Sequence, residues 1–181
     1  MDYLKLNNLI SHQQNGFLSR HSTCTQLLEC LSDWTLAIDN HQGVAVCYID
    51  FSRVFDSVVH NKLLVKLASY GVANDLLAFI KDFLTDRTQH VVVDGKISSI
   101  SKVLSGVPQG SVRGPVLFIL CTNHVVDSLR TSTTCKLFAD DLKIYFVLNI
   151  INDANSILSA FDTIKQLASI WQLKINKSKS N

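Results

Sequence analysis

The chain has little that would tie it to a membrane, a secretory route or a disulfide scaffold. Its 181 residues include only two prolines, seven glycines and one methionine. No Pro/Gly-rich linker, internal repeat or low-complexity tract divides it, so it reads as one continuous unit. The most apolar runs, around Val116 to Cys121 and Ile144 to Ile151, fall well short of the ~20 residues that span a bilayer. The N-terminus has no apolar signal core, which argues for an intracellular chain. Five cysteines, at 24, 30, 47, 121 and 135, include no C-x-x-C pair and no His at metal-finger spacing. Free thiols in a reducing compartment are expected. Excess charge is lacking too. A net charge of +2 does not mark a nucleic-acid binder, although it is compatible with a local basic groove.

What remains is ordinary globular composition, 47% apolar and 18% charged. From Ser22, apolar residues recur at Leu27, Leu28, Leu31, Trp34 and Ile38, a helical spacing after a start suited to capping. Gly43 to Asp50 is a short β-branched run ending on a carboxylate, which predicts a buried strand. Leu63, Leu64, Leu67 and Tyr70 make a helical face closed by Gly71, and Leu76, Leu77, Ile80 and Phe83 make another. Residues 89–104 predict a hairpin around Asp94-Gly95. Ser105 to Pro115 reads as a stiff polar loop running into an apolar helix near Val116 to Val126. Residues 135–147 form a second hairpin-like unit with Asp140-Asp141 at its turn. A helix over 152–172 follows, with Ile157, Leu158, Phe161, Ile164, Leu167 and Trp171 on one face, then a strand at Leu173 to Ile175. The order implies an α+β fold, an antiparallel sheet with helices on one face.

Two acidic features stand out. Asp50 lies at a strand end, followed by Phe51, Ser52, Phe55 and Asp56. Asp140 and Asp141 are adjacent between apolar runs. An Asp pair alone fits turn chemistry, because Asp hydrogen-bonds its own backbone. It also fits a Mg²⁺ site, which takes one or two carboxylates with substrate phosphates and water. In a two-metal site, ions roughly 3.5–4 Å apart stabilise the attacking and leaving oxygens of phosphoryl transfer. Like charges brought that close repel unless cations are present. Ser105 to Ser111 adds a Gly/Pro loop immediately before a helix, able to approach a nucleic-acid strand closely.

Taken together, Asp50-Phe-Ser-Arg-Val-Phe-Asp56, Ser105-Gly-Val-Pro-Gln-Gly-Ser111 and Phe138-Ala-Asp-Asp141 resemble the three palm motifs of reverse transcriptases, in order and at fitting separations. The likeness is strongest to the enzymes of non-LTR (LINE-type, jockey-like) retrotransposons. Gln14-Asn-Gly-Phe17 with Ser22-Thr23 resembles that family's fingers segment, and Trp171 to Asn176 with Lys179 resembles the motif after the catalytic hairpin. The resemblance implies one reverse transcriptase domain over 1–181, about 8–42 partial fingers and about 43–181 polymerase palm, with the thumb and the upstream fingers absent.

It further implies that Asp50, Asp140 and Asp141 are the catalytic carboxylates, with the Phe51 carbonyl completing a site for two Mg²⁺ ions (Mn²⁺ as a substitute). Phe55 would be the gate against a ribonucleotide 2′-hydroxyl, although taken alone it fits core packing. Gln109 and Gly110 would lie beside the incoming nucleotide and template. Lys179 would assist the pyrophosphate leaving group, although taken alone it fits a solvated tail lysine. The implied partners are an RNA template, a DNA primer and deoxynucleoside triphosphates, and the implied compartment is the nucleus. Three features depart from the family pattern: the Pro often found after Asp56 is missing, Arg113 stands where Leu is usual, and Thr122-Asn-His-Val125 stands where Ile-Asn-Asp-Leu is common. An arginine on a packing face would carry charge inward unless it snorkelled to a phosphate. The alternative is an inactive palm remnant that at most binds nucleic acid.

Overall fold

The β-branched run before Asp50 does form a strand, but one at the edge of a three-stranded sheet in which only Cys47 and Ile49 are buried, not the buried strand expected. The structure, a computed structural model, describes residues 2–127, 133–148, 154–176 and 178–180. In chain order the first elements are α1 (Asp2–Leu6), α2 (Thr23–Asp39), β1 (Gly43–Ile49), β2 (Phe51–Ser52) and α3 (Val54–Ser57). Next come α4 (His60–Ser69), α5 (Asn74–Leu84), β3 (Thr88–Gln89), β4 (Val92–Val93), β5 (Lys96–Ile97) and β6 (Ser101–Lys102). Then follow α6 (Arg113–Asp127), β7 (Thr134–Phe138), β8 (Asp141–Leu148), α7 (Ala154–Trp171) and β9 (Lys174–Ile175). The sheet order is β1-β8-β7, antiparallel throughout.

β8 lies in the middle, and five consecutive residues of it, Leu142 to Phe146, are buried. Continuous burial of a strand requires cover on both faces. Leu137, Leu142 and Ile144 join one apolar cluster with Leu117 to Cys121 of α6 and Leu63 and Leu67 of α4. Leu63, Phe118 and Ile119 are fully buried there, and burial of such a side chain contributes about 1.5–3 kcal/mol.

The other face of β8 presents Lys143 and Tyr145, and there the expected packing of α2 is overturned. Leu28, Leu31 and Ile38 are more than half exposed, while Gln26, Cys30 and Ala37 face inward. The reason is the polarity of the surface beneath. Lys136 of β7 lies directly opposite Lys143 of β8, and like charges so placed repel. The helix answers with its polar stripe: Glu29 pairs with Lys136 at 2.6 Å, and Asp33 accepts from the Tyr145 hydroxyl. The Lys143 ammonium lies over the Trp34 and Tyr48 rings. Buried charge without such partners would be costly. The capping expectation holds, because Thr25 N–H donates to Ser22 Oγ and Ser22 N–H to Thr25 Oγ1.

The remaining expectations hold with smaller corrections. Gly71 closes α4 with φ +74°. Leu76 is half exposed, whereas Ile80 and Leu84 carry the inward face of α5. Asp94 and Gly95 both have positive φ, as a type I′ hairpin turn requires. α6 starts at Arg113, three residues before the expected start, with Ser111 Oγ accepting the Gly114 N–H at 2.9 Å. In α7, Ile164 is buried and Leu158 exposed. The side chains of Ile157, Phe161, Leu167 and Trp171 lie outside the described residues, as do those of His124 and Val125. Among the described residues no helix is long and apolar enough to cross a membrane.

Candidate active site

Strand register brings the first two carboxylates together. Ile49 pairs with Leu142, the last pair of that ladder, so Asp50 follows directly after one partner and Asp141 stands directly before the other. Asp141 is also the first residue of β8, paired with Phe138. The tight turn is therefore Ala139-Asp140, not Asp140-Asp141, because the hairpin closes on the Phe138–Asp141 pair. Asp140 sits half-buried at its tip, and Ala139 adopts φ +59°. That backbone is the first turn position of a II′-type hairpin, where glycine is usual.

The three carboxylates also feel one another's charge. Burial pushes the Asp140 carboxyl above its ordinary value, its own backbone N–H acts against this, and the charges of Asp141 and Asp50 push it higher still. Asp50, Asp141 and Lys179 all line one recess of about 400 Å³, walled by Tyr48, Ile49, Phe138 and Leu142. Gln26 of α2 also lines it, and its Nε2 has no hydrogen-bond partner among the described residues. No group of three His, Cys, Asp or Glu side chains among the described residues forms a ready metal cage. Hard oxygen donors on adjacent backbone segments suit an ion that retains water and phosphate ligands.

Asp50 is held from the C-terminal side. β2 pairs with β9, setting Phe51 against Ile175. Just beyond, Asn176 donates its backbone N–H to the Asp50 carbonyl at 2.8 Å and its side-chain amide to Asp50 Oδ2 at 2.9 Å. The Asp50 N–H donates to Ser180 Oγ at 3.2 Å. The sequence reading placed Asn176 in a motif without giving it this role. An Asn three residues from a polar lysine carries no periodic signal.

A second recess, about 220 Å³, is lined by Phe17, Phe55, Pro108, Gln109, Gly110, Gly114 and Pro115. It unites three of the expected nucleotide-side residues. The Phe55 ring stacks on Phe118, centroids 4.1 Å apart, and meets Phe17 edge-on at 6.1 Å. Stacking fixes the ring orientation. Gln109 donates to Asp56 Oδ1 at 2.8 Å, and Ser105 Oγ donates to the Asp56 carbonyl at 2.7 Å.

The two loop glycines differ in purpose. A Cβ on Gly106 would lie 2.7 Å from Asp56 Cα, so this glycine serves the chain's own close approach. Around Gly110 there is open space. His60 and Arg87 both reach the Gly106 carbonyl, at 2.8 and 2.9 Å. Arg113 carries no charge inward. It is exposed, its guanidinium 4.8 Å from the Phe79 ring centroid and 5.8 Å from that of Phe83.

A family model described as reverse transcriptase (RNA-dependent DNA polymerase) matches residues 1–181. The chain is similar to the RNA-directed DNA polymerase from mobile element jockey of Drosophila melanogaster, 33% identical over 173 residues, or 92% of this chain and 19% of that protein. It is also similar to the probable RNA-directed DNA polymerase from transposon BS of Drosophila melanogaster, 28% identical over 99% of this chain and 20% of that protein. The chain thus spans about a fifth of the length of these curated relatives. Among solved structures, telomerase from Candida albicans in complex with a TWJ fragment of telomeric RNA matches with a TM-score of 0.73. That match is 13% identical and covers 99% of this chain and 34% of that one. Apo telomerase from Candida tropicalis matches with a TM-score of 0.74 at 11% identity, over 99% of this chain and 34% of that one. At such identities the structural likeness speaks to the fold.

Proposed function

Because the chain belongs to the reverse transcriptase family along its whole length, we propose that it carries the catalytic core of an RNA-directed DNA polymerase of the non-LTR retrotransposon kind. Residues of about 43–181 are read as its palm and about 8–42 as part of its fingers. The observation that carries the reading is the meeting of Asp50 and Asp141 in one recess, just beyond the last pair of β1 and β8, with Asp140 at the turn between β7 and β8.

In this reading Asp50, the Phe51 carbonyl, Asp140 and Asp141 would hold two Mg²⁺ ions, with Mn²⁺ as a substitute. The donor set fits: all ligands are hard oxygens, and burial raises Asp140 first with the charges of Asp141 and Asp50 adding to it, a repulsion that a bound cation relieves. When bound, the ions neutralise charge on the attacking and leaving oxygens of phosphoryl transfer. The rest is positioning by the chain itself. Phe55, fixed by its stack on Phe118, would exclude a ribose 2′-hydroxyl. Gln109, oriented by Asp56, and Gly110, with open space around it, would border the incoming deoxynucleotide and the template. Lys179, in the same recess as Asp50 and Asp141, would donate a proton to pyrophosphate as it leaves. An RNA template would be held by shape and 2′-hydroxyl contacts rather than by sequence. A nuclear site of action follows from target-primed insertion in the family.

Primer extension tests the proposal. Purified chain with an RNA template, a DNA primer, deoxynucleotides and Mg²⁺ is expected to extend the primer, and Asp140→Asn to abolish extension. Extension no greater than that of the variant would remove independent polymerase activity. Salt-sensitive RNA binding without extension would favour a nucleic-acid-binding remnant.

A further inference from the structure

The turn that carries Asp140 is braced from outside the three motifs. Residues 13–16 run beside β7: Leu137 N–H donates to the Gln13 carbonyl and Asn15 N–H to the Leu137 carbonyl, each at 2.8 Å. Gln14, between them, is only 2% exposed. Its Oε1 accepts the N–H of Gly16 at 2.7 Å and that of Ala139 at 2.9 Å, while its Nε2 donates to the Ala139 carbonyl at 3.3 Å. One side-chain amide therefore engages both backbone polar groups of a single residue.

That residue is Ala139, whose φ of +59° favours glycine. The brace also presses close, since a Cβ on Gly16 would lie 2.2 Å from Ala139 N. We infer that Gln14 is a positioning residue that holds the left-handed Ala139 backbone and so fixes where the Asp140 and Asp141 carboxylates stand. The geometry is independent of the proposed polymerase activity, and only the catalytic consequence rests on that reading. A buried glutamine that merely satisfies its own amide would leave the turn unchanged when replaced.

The test uses the 181-residue chain with Gln14→Ala, and with Gln14→Ala combined with Ala139→Gly. Glycine adopts positive φ freely, so the second change removes the need for the brace. Replacing an outer-shell partner commonly costs 10–100-fold, so Gln14→Ala is expected to lower kcat for primer extension by about that factor with the deoxynucleotide KM within about twofold. The double variant is expected to recover most of the loss. Unchanged kcat, a matching loss in KM, or no recovery in the double variant would each overturn the inference.

Amide exchange measured by NMR separates this outcome from that of the polymerase reading. If the unaltered chain extends no primer, the functional reading fails, yet the brace is still decided by the Ala139 N–H. Exchange about tenfold faster in Gln14→Ala supports it, the scale of one lost hydrogen bond, and equal rates overturn it. Should Gln14→Ala not fold, Gln14→Met, which keeps the length of the side chain and loses both acceptor and donor, is read in the same way.

Discussion

Asn176 grips Asp50 from two directions, its side-chain amide on the carboxylate at 2.9 Å and its backbone N–H on the carbonyl at 2.8 Å. The two residues are 126 apart in sequence, and the β2–β9 pairing brings them together. A neutral donor here orients the carboxylate without cancelling the charge a cation would need.

Asn176→Ala is expected to slow primer extension by at least about tenfold, the usual cost of losing such a partner. Asn176→Asp should be worse, since it sets a like charge against Asp50. Single-turnover extension rates decide this, and a wild-type rate in Asn176→Ala would remove the orienting role.

The burial and crowding of Asp140 should be visible as a pH dependence of stability. Its folded-state carboxyl is raised above the ordinary 3.8, by burial first and then by Asp141 and Asp50. The favourable contribution of a raised acid is complete below its unfolded value and is lost as pH rises through the folded one. At neutral pH and without divalent cations, Asp140→Asn is therefore expected to melt above the wild type. The gap should close as pH falls below about 4, near the unperturbed carboxylate value. Thermal melts in EDTA across that range check the sign, and a variant less stable at pH 7 would contradict it.

Phe55→Ala should admit ribonucleotides. With the ring held against Phe118, its removal opens space where a 2′-hydroxyl would otherwise clash. The ratio of kcat/KM for deoxy- over ribonucleotides is expected to fall at least about tenfold, a scale typical of steric discrimination by one contact. An unchanged ratio would return Phe55 to simple core packing.

Leu28 and Leu31 offer a test of the fold itself. Both are more than half exposed, so Leu28→Ser and Leu31→Ser are expected to shift stability by no more than about 0.5 kcal/mol each. Inward-facing leucines would lose about 2–5 kcal/mol on comparable truncation. Urea unfolding separates the two, and a large loss would mean that this face is covered.

The α+β class, the hairpin at Asp94-Gly95 and the strand before Asp50 were legible because each rests on a local signal: alternation, a β-branched run or a turn dipeptide. The face of α2 was not. Its leucines form a sound apolar stripe, but the surface it meets contains Lys136, Lys143 and Tyr145, and that polarity depends on strands more than 90 residues further along. The turn position of Asp140 was misjudged by one residue because hairpin register is a property of the pair of strands, not of either one. Gln14 and Asn176 both fall within segments that carry the resemblance, but their roles were not legible for a related reason: each acts on the backbone of a distant residue, which leaves no spacing to read.

The meeting of Asp50 and Asp141 also bears on how such a sequence can change over generations. Their meeting comes from counting along β1 and β8, starting at the Gly43–Leu148 pair and ending at Ile49–Leu142, just short of both residues. Exchanging one β-branched residue for another along β1 leaves that count intact. Losing or gaining a single residue does not, because it either moves Asp50 away from Asp141 or exchanges the two faces of the strand. Insertions and deletions should therefore collect in connections such as the exposed Asp94-Gly95 hairpin, while the interval from Gly43 to Asp50 keeps its length even where its letters drift.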